Sequence, residues 1–256
     1  MPAVAALLER RPALIALRRA LPGRPARVLT ARSANHLATI LRSHLVDAVV
    51  LGADAARAEA FTTLRTDYPT IPVFLLAPVR SDDAALVRRL DRHGAAGILV
   101  EGVDDPVLAR LIRRSGLTAR REEALLPLAP RLDLVDPLQQ AAWRVIVAEA
   151  PGRLATADLA RRLGVTRETL SRRFAAGRAP ALKAAIDGVR LVAAGQLLGS
   201  PGYRVGDAAR LLGYSSAGLL QRSARRLAGV GAGGLGALPP DRILARQLAG
   251  RGSRWG

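Results

Sequence analysis

Residues 156–174 read TADLARRLGVTRETLSRRF, and this stretch decides the fold of the second half of the chain. Leu159 and Leu163 form an apolar stripe at helical spacing. Gly164 supplies the left-handed backbone conformation that commonly ends a helix, and Thr166 is suited to cap the next one. The pattern therefore predicts two short helices joined by a tight turn, which is the layout of a helix-turn-helix.

The second helix of this pair predicts a buried face and an open face. Leu170 and Phe174 recur at i, i+4 and should point into the core. Glu168, Ser171 and Arg172 then share the opposite, exposed face. On its own this spacing is also that of an ordinary helical hairpin with a charged surface.

The same spacing occurs a second time in residues 205–226, which read VGDAARLLGYSSAGLLQRSARR. Gly213 takes the place of the turn glycine, Ser215 or Ser216 caps the next helix, and Leu220 faces inward. An amphipathic helix predicted over residues 180–198 joins the two units. Repetition within one chain favours a functional reading over a chance hairpin.

These motifs resemble the DNA-binding domain of the AraC family over about residues 136–229. The resemblance rests on TLSRRF in the first unit, on VGDAARLLGYSS in the second, and on the RL, A and LL positions of the connecting helix. It implies two recognition helices that enter the major groove of one DNA segment. It implies base reading by Glu168, Ser171, Arg172, Gln221 and Arg222. The residues expected to contact phosphates are Arg161, Arg162, Thr166, Arg167, Arg173, Ser216, Arg225 and Arg226.

The second unit departs from the family pattern. Ala224 stands where the family usually has a large aromatic residue, at a cost of about 1–3 kcal/mol in lost packing. Gly218 within the helix costs about 1 kcal/mol more relative to alanine. We therefore expect the second unit to read DNA loosely, or only when a dimer partner holds it.

The first half alternates short apolar runs with amphipathic helical stretches. Strands are predicted over 4–8, 27–30, 48–51, 73–76 and 98–100, and helices over 12–20, 33–45, 55–67, 82–93 and 104–114, with Ser33 and Ser81 as caps. Five such units predict a doubly wound α/β domain with five parallel strands, spanning residues 1–117.

This half resembles a response-regulator receiver domain whose phosphorylation site is degenerate. The resemblance places Gly52 at the phosphoacceptor position, Ala77 at the hydroxyl position, Glu101 at the lysine position, and Glu9 and Arg10 at the acidic pair. Phosphoryl transfer to a carboxylate needs a nucleophile and a metal held by acids. We therefore expect no phosphorylation, with Asp54 a poor substitute. The domain would instead serve dimerisation or non-phosphate sensing.

The predictions for the remaining segments rest on their proline and leucine content. Residues 118–136 are predicted to be a linker with a short helix over 120–126 and then an extended stretch packed on one domain. Asp136 should cap a helix beginning at Pro137, which opens an all-helical DNA-binding domain over 137–238. Residues 239–256 are predicted to be a tail with one short helix.

Composition bounds the functional class. The net charge is +18; residues 141–238 carry 15 Lys or Arg against 5 acids, whereas residues 1–115 carry 17 against 11. An excess of positive charge on one domain indicates a polyanionic partner. The chain has no cysteine, and its three histidines lie on predicted helices without a nucleophile or acid at motif spacing. We expect no enzyme, no cofactor and no metal.

The sequence therefore predicts a transcriptional regulator that binds double-stranded DNA in a sequence-specific manner. It is expected to be a homodimer, with RNA polymerase a further candidate partner, and without a membrane span or signal peptide, so that it lies in the cytoplasm on the nucleoid. The alternative is a protein-interaction module that binds DNA weakly and without specificity, and the altered second unit is its support.

Overall fold

The structure is a computed structural model that describes residues 3–22, 28–57, 59–78, 83–152 and 154–248. The chain divides into two compact units. The first is Met1–Arg120 with Ser200–Tyr203, and the second is Arg121–Gly199 with Arg204–Gly256. Among the described helices, none has the length and apolar character to cross a membrane.

The first unit contains one sheet of five parallel strands in the order β2-β1-β3-β4-β5. This order is one of the two common doubly wound orders, so the predicted fold class is confirmed. Helices on both faces explain why the central strand is buried along its whole length. The strands are β1 Ala3–Leu7, β2 Val28–Thr30, β3 Val46–Leu51, β4 Val73–Ala77 and β5 Gly97–Val100.

The helices of this unit follow the predicted series with shifted ends. They are α1 Arg11–Ala20, α2 Ala34–Ser43, α3 Ala53–Arg57, α4 Glu59–Asp67, α5 Ala84–Arg92 and α6 Leu108–Ser115. Ser33 caps α2 as predicted, accepting a hydrogen bond from the amide of His36. The predicted cap at Ser81 lies outside the described residues.

The last helix of this unit begins four residues later than predicted. Asp104 was expected to open it, but its carboxylate accepts a hydrogen bond from the amide of Val100 at 2.7 Å. The aspartate therefore closes a turn after β5, and the helix begins at Leu108.

The segment predicted as a linker is folded. It begins with α7, Leu117–Leu125, and continues as two 3-10 turns, Leu126–Leu128 and Pro130–Leu132. The extended conformation predicted for the second part was wrong, because Leu128 and Leu132 are buried and the turns bring them inward. The boundary between the two units falls within α7.

The second unit is all helical around a leucine-rich and alanine-rich core. Its helices are α8 Pro137–Glu149, α9 Thr156–Arg162, α10 Arg167–Phe174, α11 Leu182–Leu198, α12 Val205–Leu211, α13 Ala217–Ala228, α14 Pro240–Ile243 and α15 Ala245–Leu248. A 3-10 helix, Ala232–Ala237, follows α13. The predicted tail thus contains two four-residue helices, and residues 249–256 lie outside the described residues.

Candidate DNA-binding interface

The first helix-turn-helix unit has the turn that its sequence predicts. Gly164 has a φ of 67°, and the amide of Val165 donates to the carbonyl of Ala160 at 3.1 Å. The Thr166 hydroxyl accepts a hydrogen bond from the amide of Thr169 at 3.1 Å and so caps α10. The turn is therefore fixed by local chemistry at two residues.

Helix α10 presents one buried face and one open face. Leu170 and Phe174 are fully buried, whereas Glu168 and Arg172 are exposed and Ser171 is half-buried. The three residues expected to read bases therefore lie away from the core, on the face that a DNA groove can reach.

The C-terminal end of α10 is held by a buried glutamine. The Gln139 amide nitrogen donates to the carbonyls of Arg173 and Phe174 at 3.2 and 3.1 Å, and Gln139 is 2% exposed. The carbonyl of Arg173 also accepts from the amide of Ala176 at 3.2 Å, so the glutamine adds a second donor there and supplies one to Phe174, in the last turn where a helix has no donors of its own. This contact fixes the first recognition helix to α8.

The second unit repeats the turn closely. Gly213 has a φ of 75°, and the amide of Tyr214 donates to the carbonyl of Ala209 at 2.9 Å. The hydroxyl of Ser216 accepts from the amide of Leu219 at 3.2 Å, so Ser216 is the cap of α13. Of the two serines that the sequence offered, the structure selects the one nearer the helix.

Helix α13 carries an exposed leucine that sequence reasoning missed. Leu220 and Ala224 are fully buried, whereas Arg222 is exposed. Leu219, which directly precedes Leu220, is 36% exposed. A signal was available, because Leu219 falls outside the i, i+4 stripe of Leu220 and Ala224.

Gln221 on α13 makes a contact that the sequence did not predict. Its side chain is half-buried, and its amide oxygen accepts a hydrogen bond from the amide of Ala232 at 2.8 Å. The chain after α13 folds back and presents an amide that needs an acceptor. Gln221 therefore supports the loop that follows the recognition helix, a contact that helical periodicity alone does not indicate.

Several arginines of the first helix-turn-helix unit are paired with carboxylates at its surface. Exposed pairs of this kind contribute about 0–1 kcal/mol, so DNA phosphates can compete for the same guanidinium groups. Arg167 and Arg172 are exposed and have no carboxylate partner among the described residues. The pairs are Arg161 with Asp158 (2.8 Å), Arg162 with Glu149, and Arg173 with Asp136 (2.7 Å).

Asp136 caps α8 as predicted and also meets α10. Its carboxylate accepts from the amides of Leu138 and Gln139 at 2.7 and 3.3 Å, and the Gln139 side chain accepts from the Asp136 amide. The hydrogen bond from Arg173 lowers the pKa of Asp136, and the two backbone amides act in the same direction. The charged cap is therefore favoured.

A buried carboxylate also lies near the second helix-turn-helix unit. Asp187 on α11 is buried, with Lys183 at 2.9 Å and Arg190 and Arg226 at 3.8 Å. The guanidinium carbon of Arg190 lies 5.8 Å from the centre of the Tyr214 ring. Arg225 and Arg226, both expected to contact phosphate, are both exposed, and Arg226 has one acid near it.

In the first structural unit, which contains the five-stranded sheet, the side chain of Glu9 after β1 occupies the space that Gly52 leaves. A Cβ atom added at Gly52 would collide with the Glu9 carboxylate, which accepts a hydrogen bond from the amide of Ala55 at 2.8 Å. Arg10 pairs with Glu101 at 3.0 Å. Four of the five positions that the receiver resemblance singles out are thus in direct contact with another of them, while Ala77 is buried at the end of β4.

A cavity of about 360 Å³ opens at this edge of the sheet, next to Gly52 and Arg10. Arg57 pairs with Asp83 and, at 3.5 Å, with Asp54. The side chain of Asp54 is 76% exposed and lines the same cavity as Gly52. The charges around the cavity are largely satisfied by one another.

Comparison with known proteins identifies the helical part. A family model described as a helix-turn-helix domain matches residues 159–233, which is under a third of the chain. This range is an AraC-type helix-turn-helix domain, and a domain of this type implies DNA-binding transcriptional regulation. No curated protein sequence matches the chain.

One solved structure similar to the chain is full-length FixJ from B. japonicum. The two are 14% identical with a TM-score of 0.39, and the match covers 93% of this chain and 98% of that one. A likeness at this level supports no conclusion, so the fold of the first unit rests on its own strand order.

Proposed function

We propose that the protein is a sequence-specific transcriptional regulator that reads DNA with both α10 and α13. The observation that carries the proposal is the repeated turn. Gly164 and Gly213 have the same left-handed conformation, and Thr166 and Ser216 cap the following helix in the same way. Two helices presented alike on one domain suit two successive major-groove contacts.

The exposed side chains supply a reading chemistry. Arg172 and Arg222 can each donate two hydrogen bonds to guanine O6 and N7, and such a contact discriminates by about 1–3 kcal/mol. Glu168 can accept from cytosine N4, and Leu219 can contact the methyl group of thymine. Gln221 is engaged with Ala232, so we assign base reading in the second unit to Leu219 and Arg222 instead.

Phosphate contacts supply the affinity. The candidate phosphate ligands named above cluster on α9, α10 and α13, and residues 141–238 have the larger charge excess. Each phosphate neutralised releases counterions, so we expect affinity to fall steeply with salt without a change in the preferred sequence.

The first structural unit, which contains the five-stranded sheet, is proposed to act without phosphorylation. The support is that Glu9 fills the space beside Gly52 and that Arg10 is paired with Glu101. A phosphoryl group needs a carboxylate nucleophile and a cation free to balance developing charge. We propose that this unit serves dimerisation or non-phosphate sensing, because the two monomers of a two-fold dimer would together cover one long operator. RNA polymerase remains a candidate partner.

The test is selection of binding sites from random DNA by the full-length protein near physiological salt. The Arg172→Ala/Arg222→Ala variant removes one guanidinium from each recognition helix. The Arg131→Ala/Arg242→Ala variant is the matched control, because it removes two exposed positive charges outside the recognition helices. Each selection is run with and without acetyl phosphate and Mg²⁺.

We expect the wild-type protein and the control to select one two-part motif that the recognition-helix variant loses. Acetyl phosphate should change neither the motif nor the affinity. Binding without enrichment, steeply dependent on salt and equal in all three proteins, would instead support a protein-interaction module with non-specific DNA affinity. A motif that appears only with acetyl phosphate would contradict the proposed role of the first unit.

A further inference from the structure

The chain beyond the matched helix-turn-helix domain folds back onto the second helix-turn-helix unit. Helices α14 and α15, residues 240–248, begin after Pro239 and bury Ile243 and Leu244 almost completely. We call residues 240–248 the C-terminal clasp. It lies outside the 159–233 match, so the family resemblance assigns it no role.

The clasp contacts the C-terminal end of the second recognition helix. The Arg246 guanidinium donates to the carbonyl of Arg225 at 3.4 Å and to the carbonyl of Arg226. Gly229, with a φ of 78°, is the C-cap that follows α13. The carbonyl of Arg225 also accepts from the amide of Gly229 at 3.2 Å, so Arg246 adds a further donor to the last turn of α13, where a cation also interacts favourably with the helix dipole.

The clasp also contacts α11, the helix that connects the two helix-turn-helix units. The Gln247 amide nitrogen donates to the carbonyl of Ala184 at 2.9 Å, and Gln247 is 8% exposed. A Cβ atom added at Gly188 would lie 2.7 Å from a Leu244 methyl group, so the glycine permits this close approach. One short segment therefore touches α11 and α13 at once.

The second recognition helix has a reason to need this contact. Ala224 offers a methyl group where Phe174 gives α10 a buried ring, and Gly218 weakens the first turn. The end of α10 is held by Gln139 from α8, whereas the corresponding end of α13 is held by Arg246. We infer that Arg246 is a positioning residue that fixes the direction of α13, and with it the reading of the second half of the DNA site.

This inference rests on the proposed function, and its test separates the two. The variants are Arg246→Ala and Arg246→Lys in the full chain. The control is Arg242→Ala, which removes an equal charge from the same segment at an exposed position. The probes are the selected duplex and two duplexes in which the first or the second half is scrambled, together with hydrogen exchange of the amides of residues 225–229.

We expect Arg246→Ala to lower the preference for an intact second half by about tenfold, the effect of one charge-assisted hydrogen bond. The preference for an intact first half should change by less than about twofold, as for two distant independent sites. Exchange at residues 225–229 should be faster, and Arg246→Lys should restore part of both effects, because lysine keeps the charge without the planar fork.

Equal losses at both halves would mean a general effect on stability and would overturn the positioning role. So would an Arg246→Ala protein that matches Arg242→Ala in exchange and in half-site preference. If Arg246→Ala does not fold, Arg246→Lys carries the same comparison. If no motif is selected at all, the proposed function fails, while exchange at residues 225–229 still decides whether Arg246 holds the helix.

Discussion

The two helix-turn-helix units share a turn and differ in what supports it. Both turns use a glycine with a φ near 70° and a hydroxyl cap, at Gly164 with Thr166 and at Gly213 with Ser216. Their recognition helices are nevertheless anchored differently. The likeness is local and the difference is tertiary, so one motif can be repeated in a chain without the same stability or the same precision of reading.

The anchoring differs toward the C-terminal ends of the recognition helices. Phe174 is fully buried at the end of α10, and Ala224 takes the corresponding place in α13. The second unit gains support from the chain that follows it, through Ala232 and the C-terminal clasp. The first unit is therefore held by its own side chains and α8, and the second largely by what comes after it.

The largest expected effect tests the aromatic anchor. Phe174→Ala should lower the free energy of unfolding by about 3–5 kcal/mol, because it empties a fully buried ring position. The measurement is urea denaturation followed by Trp143 fluorescence in a Trp255→Phe background. The chain has two tryptophans, and Trp143 is buried on α8, so its emission reports on the second structural unit.

The matched change is Ala224→Phe in the second unit. Since Ala224 is fully buried and α13 is covered by the chain that follows, an added ring should overpack the site at a cost of about 1–3 kcal/mol. A stabilising Ala224→Phe would show that the smaller residue leaves an empty space, and the contrast drawn between the units would be wrong.

Sequence reasoning succeeded where the chemistry is local. Gly164 and Gly213 end helices because the backbone there requires a positive φ, and Asp136 caps α8 because its carboxylate reaches amides two and three residues on. Short apolar runs that alternate with amphipathic stretches were likewise enough to predict the five-stranded sheet and its helices.

It failed where a side chain meets a distant segment. The hydrogen bond between Gln221 and Ala232 was not predicted, because helical periodicity contains no information on the loop that follows α13. The contacts of Arg246 and the approach of Glu9 to Gly52 have the same character. Each depends on the packing of chain segments far apart in sequence, so only the folded structure brings the partners together.

A smaller effect tests the close packing of the chain after α13. A Cβ atom added at Gly236 would lie 2.6 Å from the amide nitrogen of Gly199 and 2.7 Å from the carbonyl of Leu198. Because backbone atoms cannot move aside, Gly236→Ala should lower the free energy of unfolding by about 1–3 kcal/mol. The same denaturation experiment measures it.

Gly233→Ala is the control within the same 3-10 helix, since nothing lies within 4 Å of an added Cβ atom there. This change should be neutral or stabilise by about 0.4–1 kcal/mol, because it restricts the unfolded chain. If both alanines behave alike, close packing at Gly236 does not support the second unit.

The smallest effect at neutral pH concerns the turn residues Val165 and Tyr214, of which only the second can titrate. Burial raises the pKa of Tyr214 to about 12, even though Arg190 acts in the opposite direction. No described residue hydrogen-bonds to its buried hydroxyl, so we expect Tyr214→Phe to change stability little at neutral pH.

The sign of the alkaline effect follows from the raised pKa. The fold favours the neutral phenol, so its stabilising contribution is present below the unfolded pKa of about 10 and is lost as the pH rises toward about 12. The urea midpoint of the wild-type protein should therefore fall more steeply over this range than that of Tyr214→Phe. Parallel curves would mean that ionisation of Tyr214 does not oppose folding, and that the turn of the second unit is no more sensitive to alkali than the turn at Val165.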